Sequence, residues 1–253
     1  MKKVNWTIVI LSVFMLIIMG LIISVVTAFY GNPLTKLIAT SQIRSYVEKN
    51  YPDMNLEVAK AGYNFKFEDY VSRVQSTTSA DTGFSVNWHK GKINDSYEID
   101  VLKRYKTYQR LQRELSDVVE ETISREFPYQ TSILFADSDK STDDFTVLSL
   151  DMPLDTMTIP LPTTLTIYFY HDKINYEVFC EQLKELYDIM NKNNIRIDFY
   201  SVVMEEPSVD GEKPKSSGEA IYLYDYPADK LISQTLAEDI KKYMADWERE
   251  HEK

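Results

Sequence analysis

The run Ile8-Val-Ile-Leu-Ser-Val-Phe-Met-Leu-Ile-Ile-Met-Gly-Leu-Ile-Ile-Ser-Val-Val26 contains no charged residue. It is close to the roughly 20 apolar residues that a helix needs to cross a bilayer. Trp6 and Tyr30 bracket it, as aromatic side chains do at the two membrane–water interfaces. Residues 6–30 are therefore expected to form a transmembrane helix whose partner is the lipid bilayer. Lys2 and Lys3 precede it, and the positive-inside rule puts them in the cytoplasm, with the chain beyond about Gly31 outside. The competing reading is a signal peptide cleaved after Ala28, because Val26-Thr27-Ala28 fits the small-residue pattern. The apolar core is longer than the roughly 7–15 residues of a signal h-region, which favours a retained anchor. No cysteine directly follows the run, which excludes a lipoprotein anchor. Gly20 offers close packing against another membrane helix, but no second glycine lies four residues away.

Beyond Pro33 the character changes. The whole chain has 253 residues, a net charge of −11, eighteen tyrosines and seven glycines. The acidic balance disfavours nucleic acid and broad contact with an anionic lipid surface. The few glycines argue against phosphate-cradling loops, and the tyrosines suit half-buried strands. The part beyond the anchor is expected to be soluble.

Gly31-Asn32-Pro33 breaks the first helix. Leu34 to Asn50 reads as an amphipathic helix with Leu37, Ile38, Ile43 and Val47 near helical spacing, and Tyr51-Pro52 ends it. Three strand-like runs follow, from Leu56 to Phe67 with Gly62 as a candidate bulge, from Tyr70 to Ser76, and from Thr82 to His89. Lys90-Gly91-Lys92 is a turn. Ser96 to Phe127 reads as a long helix, broken near its start and carrying a stripe that includes Leu111, Leu115, Val119 and Ile123. Strands are expected at Thr131–Ala136, Leu165–Tyr170, Ile195–Val203 and Ala220–Tyr224, with helices at Tyr176–Asn191 and Leu231–Glu252 and a polar loop over Pro207–Gly218. The fold class is α+β: a transmembrane helix, a subdomain of one helix and an antiparallel sheet, and a second α+β subdomain. The expected divisions are 1–33, 34–127 and 128–253.

Gly31-Asn-Pro-Leu-Thr-Lys36, Tyr51-Pro-Asp-Met54 and Gly62-Tyr-Asn-Phe-Lys-Phe-Glu-Asp-Tyr70, behind one membrane helix, resemble the YfjL-like family of small membrane-anchored proteins of Gram-positive bacteria. The resemblance is visible over about residues 5–127. It implies a cell-envelope location and carries no catalytic residue. The helix-then-strands order is also similar to cystatin-like and PepSY-type modules, which is an analogy of fold alone.

No motif specifies a reaction or a cofactor. Cys180, the one cysteine, lies in a helical pattern without a neighbouring base and reads as a small core hydrophobe. His89, His171 and His251 lack partners at zinc-ligand spacing. His171 reads as a loop cap and His251 as solvated. Asp137, Asp139 and Ser141 match the start of a calcium loop, but Thr142 stands where the turn glycine belongs and Leu148 where the closing glutamate belongs. That stretch reads as a solvated hairpin loop with at most weak cation affinity. Glu120-Glu121 and Glu205-Glu206 are not evidence of paired catalytic carboxylates; adjacent helical residues point about 100° apart, and Glu120-Glu121 alternates with basic residues on an exposed face. Tyr168, Tyr170, Tyr222 and Tyr224 are candidate groove-lining residues, with ordinary sheet-face residues as the plainer reading. Catalytic, cofactor and metal residues are accordingly expected to be none. The function expected is a non-catalytic extracytoplasmic binding or regulatory module whose partner is another envelope or membrane protein. The alternative is an envelope hydrolase with an unrecognised site.

Overall fold

The computed structural model of the chain describes residues 6–138, 144–207 and 220–251. Helix α1 is described over Trp6–Tyr30, and it ends at Tyr30, the limit expected from the interfacial aromatic on that side. Its described side chains are exposed except for half-buried Thr27. Among the described residues it supplies the one apolar stretch long enough to cross a membrane. At 1.5 Å per residue its length is about 37 Å, enough for a hydrocarbon core of roughly 30 Å.

The chain divides into two compact units, Met1–Lys106 and Thr107–Lys253, with α1 in the first. In the first unit, helix α2 (Pro33–Asn50) starts sharply. The Asn32 side chain accepts from the N–H groups of Leu34 (2.8 Å) and Thr35 (3.3 Å), and Pro33 occupies the first turn, satisfying donors that a helix start otherwise leaves open. Gly31 sits at φ +74°, where a Cβ would lie 2.6 Å from the Tyr63 ring. Only glycine fits there.

An antiparallel sheet packs on α2. Its strands are β1 (Leu56–Val58), β2 (Gly62–Asn64), β3 (Asp69–Ser76), β4 (Gly83–His89) and β5 (Lys92–Asp95). The order is β1-β3-β4-β5, and β2 joins the same edge of β3 as β1. The run expected as one strand is thus two, parted at Ala59–Ala61. There the Ala61 N–H donates to Thr40 Oγ1 of α2 (3.1 Å) and the Ser72 hydroxyl to the Ala59 carbonyl (3.1 Å). Lys90 and Gly91 both have positive φ, the two-residue hairpin turn with the twist that antiparallel strands favour. This turn leads into β5, which the sequence reading had not separated from the turn. Of the expected α2 stripe, Ile43 and Val47 are buried with Ala39, whereas Leu37 and Ile38 are exposed.

The expected break in the long helix falls at a π-helical turn, Glu98–Leu102, followed by Arg104 at φ +61°. Helix α3 then runs from Tyr105 to Glu126. Its Leu115, Val119 and Ile123 lie in the core of the second unit, so most of this helix belongs there and not with the first unit, where a boundary at residue 127 would place it.

The second sheet has the order β6 (Thr131–Ser138), β7 (Thr163–Tyr170), β8 (Phe199–Glu205), β9 (Ala220–Pro227). The β7–β8 pair is parallel and the other two pairs are antiparallel. The parallel pair is connected through helix α4 (Tyr176–Lys192), which Asn175 caps by accepting from Val178 N–H at 2.9 Å. Leu165, Ile167 and Phe169 of β7 share one core with Phe179, Leu183 and Leu186 of α4 and with Ile240 of helix α5 (Leu236–His251). The expected closing helix is in fact a 3₁₀ turn, Ala228–Ile232, and then α5. Thr235 parts them by accepting the Glu238 and Asp239 N–H groups at its carbonyl.

Candidate functional site

In the second unit, β7 and β8 run parallel, so their first residues lie side by side, next to the last residue of antiparallel β9. A cleft of about 810 Å³ opens at this end, walled by Ile159, Pro160, Leu161, Pro162, Phe199 and Pro227, with Tyr187 and Asn191 from the end of α4. Prolines donate no backbone N–H and resist pairing into the ladder, which leaves this rim open.

Two charged groups of the cleft, Arg196 and Asp198, hold the rim in place. Arg196 donates from Nη2 to the carbonyls of Ile159 (2.6 Å) and Leu161 (2.9 Å), and its Nε lies 3.3 Å from Asp198 Oδ2. That oxygen accepts the Thr163 N–H at 2.9 Å, while the Thr163 hydroxyl donates to the Arg196 carbonyl at 2.8 Å. Burial pushes the Tyr200 phenol far above its ordinary range, and it stays protonated. The lining contains no serine, threonine, cysteine, lysine or histidine. It presents shape, apolar surface and ring faces, the makings of a binding cleft.

The other feature of this unit is the opposite face of its sheet. Along β7, Leu165, Ile167 and Phe169 are buried, and Tyr168 and Tyr170 alternate with them. On β9, Tyr222 and Tyr224 alternate with buried Ile221 and Leu223. The four tyrosines singled out in the sequence therefore share one face. Ile133, Tyr168, Val203 and Tyr222 stand in one row across all four strands. Ile133, Phe135 and Tyr222 are exposed in this row or beside it. The Tyr224 ring packs 4.9 Å from Trp247.

The remaining candidates do not assemble into a site. Cys180 is buried in the α4 core, and desolvation pushes its thiol up. His171 Nδ1 accepts from the Lys173 N–H at 3.0 Å, a loop cap, and its ring lies 5.0 Å from Tyr129. His89 Nδ1 lies 3.1 Å from the Glu68 carbonyl. Glu121 pairs with Arg125 at 3.8 Å and Glu120 accepts from Ser116 at 3.0 Å. Glu205 and Glu206 lie at the end of β8 and just past it. Asp137 and Ser138 belong to strand β6 and not to a hairpin loop, with Asp137 opposite Thr164. Asp139, Ser141 and Thr142 lie outside the described residues, as does most of the Pro207–Gly218 loop. The His251 side chain also lies outside them. No three histidine, cysteine or acidic residues gather to hold a metal among the described residues. Gly20 has open space around it.

A cluster that the sequence reading missed lies in the first unit. Tyr46 and Tyr51 both donate to Asp95 Oδ2, at 2.6 and 2.8 Å. The hydrogen bond to Asp95 raises the Tyr46 phenol first, and burial raises the Tyr51 phenol first, with Asp95 adding to it. Asp95 lies 49 and 44 residues beyond the two tyrosines, so no local pattern announces the cluster. It ties the end of α2 to β5.

Fold and site together define a two-unit α+β protein with an apolar N-terminal helix and with a cleft and an aromatic sheet face in its second unit. The chain belongs to the YfjL-like family: the YfjL-like N-terminal domain matches residues 2–101 and the YfjL-like C-terminal domain residues 114–241. The two matches flank the unit boundary at Lys106–Thr107 and carry the relationship well past residue 127. No curated protein and no solved structure gives a significant match.

Proposed function

We propose that the chain is a non-catalytic binding or regulatory module of a bacterial cell envelope, anchored by α1 with its folded units outside the cytoplasm. The observation that carries this reading is α1 itself, an apolar helix whose described side chains are exposed apart from half-buried Thr27 and which the rest of the fold meets only near its end, at Phe29. Apolar surface of that extent belongs in lipid. The partner is another envelope or membrane protein, met at the proline-walled cleft or the tyrosine face. The cleft's apolar walls, with Arg196 and Asp198 engaged in bonding its rim, support binding over hydrolysis, the rival reading.

The test is topology. Protease added to intact protoplasts that express a C-terminally tagged chain is expected to remove the tag, and protection of everything beyond Tyr30 overturns the reading. Cross-linking the intact protein in membranes and identifying the captured proteins then tests the partner. Loss of one captured species in Tyr222→Ala assigns it to the sheet face.

A further inference from the structure

The β2–β3 hairpin tip, Phe65-Lys66-Phe67, lies beside the last turn of α1, where the Phe29 and Phe65 rings meet at 5.8 Å. This contact is held by a built joint. The Tyr70 hydroxyl accepts the Asn32 N–H (2.8 Å) and donates to the Asn32 carbonyl (3.1 Å). Tyr63 packs where any Cβ on Gly31 would stand. The hairpin is thus fixed at the level where α1 ends.

Leu34, Leu37, Ile38, Phe65 and Phe67 are each between 51% and 70% exposed. On α2, Leu34, Leu37 and Ile38 occupy one face, opposite the buried Ala39, Ile43 and Val47. Further along that outward face the residues are Ser41, Ser45, Glu48 and Lys49. The exposed apolar surface is therefore confined to the end of α2 nearest α1. A protein groove that takes up the helix would call for an apolar stripe along its length, whereas a flat lipid boundary calls for one at the near end only. Lys66 stands between the two phenylalanines, and its Nζ lies 5.5 Å from the Phe67 ring. Aromatic and aliphatic side chains mixed with lysine are the composition of surfaces that rest at the headgroup layer.

We propose that Leu34, Leu37, Ile38, Phe65 and Phe67 form a collar that enters the interfacial layer of the bilayer crossed by α1, so that the first unit rests on the membrane. The proposal depends on α1 being the anchor. The contact is local and apolar, and it forms on a largely zwitterionic surface despite the acidic chain.

The experiment uses the full chain with Cys180→Ala, reconstituted in phosphatidylcholine vesicles with a minor fraction of phosphatidylglycerol. Single cysteines replace Leu16, Leu37, Phe67 or Asp53, each carrying a polarity-sensitive fluorophore, and lipids brominated along the acyl chain act as quencher. Quenching at Leu37→Cys and Phe67→Cys is expected to exceed that at Asp53→Cys severalfold, with blue-shifted emission. If Leu16→Cys is quenched while Leu37→Cys and Phe67→Cys behave like Asp53→Cys, the collar is wrong and the anchor stands. If Leu16→Cys escapes quenching, the anchor reading fails and takes the collar with it. Blue-shifted but unquenched labels at Leu37 and Phe67 mean that a second copy or another protein covers the surface, which also overturns the proposal.

Discussion

In the second unit, Leu165, Ile167, Phe179, Leu183, Leu186, Val202 and Leu223 are all fully buried, and most of the interior is aliphatic. In the first unit, the interior beside Ile43, Val74 and Val86 includes Tyr70 and Trp88, and its ties are side-chain hydrogen bonds. Trp88 Nε1 donates to Gln42 at 2.6 Å, Tyr70 clasps both backbone groups of Asn32, and two phenols share Asp95. Aliphatic burial is non-directional and supplies stability in proportion to area. Directed hydrogen bonds contribute less net free energy and specify geometry more. The unit that continues from α1 is the one whose interior is specified this way.

The comparison is sharpened most strongly by Leu183→Ala in α4, expected to cost about 3–5 kcal/mol as a cavity in a close-packed core. Chemical denaturation of the full chain in detergent measures it, and a loss under about 1 kcal/mol would mean that the core repacks freely. Next is Asp95→Asn. Its expected cost at neutral pH is about 1–2 kcal/mol, reduced from the value for a buried charged hydrogen bond because the cluster is partly exposed. Tyr46 and Tyr51 have folded-state pKa values above the unfolded value of about 10, so their stabilisation is complete below pH ~10 and is lost as pH rises through the folded values. The wild-type chain should lose stability above pH 10, and the variant should lose less over the same range. An unchanged alkaline slope would break the assignment.

Tyr70→Phe removes one hydroxyl and leaves the Asn32 N–H without its acceptor. A cost of about 1 kcal/mol is expected, read as faster amide exchange at Asn32 with little change in the second unit. The smallest effect is expected from Tyr226→Phe. The Tyr226 hydroxyl is buried with no hydrogen-bond partner among the described residues, and burial pushes its phenol up to about 12. Removing an unsatisfied hydroxyl should change stability by about 0.5 kcal/mol or less, with either sign. If Tyr226→Phe cost more than Tyr70→Phe, the contrast between the units would not hold.

The apolar helix α1 was legible, with its end at Tyr30, because its signal is local, an uncharged run closed by an aromatic. The start of α2 was legible through Asn32-Pro33, and β4 through Phe84, Val86 and Trp88. The sequence reading opened β8 too early, at Ile195. Arg196 and Asp198 look like the polar half of an alternating strand, yet they bond the rim at Ile159, Leu161 and Thr163. The four-residue β5 is mostly polar and carries too little pattern to show. The four tyrosines were visible as residues, and only the strand register brings them to one face. The cleft draws its walls from segments scattered between Met157 and Asp229, so spacing holds no trace of it.

The parallel β7–β8 pair also bears on how the second unit acquires its structure. Leu165 meets Tyr200 across the whole of α4, so this pairing cannot zip up from a turn as a hairpin does. Loop closure has to be met before the ladder repays it, and pairings of this sort slow folding. Helix α4 is local and capped by Asn175, so it is expected to form first, as the spacer that brings the strands into reach. Until then the edges of β7 and β8 are open to wrong partners. A folding nucleus around α4 and β7 would show as high φ-values at Leu183 and Ile167 and low ones on β9.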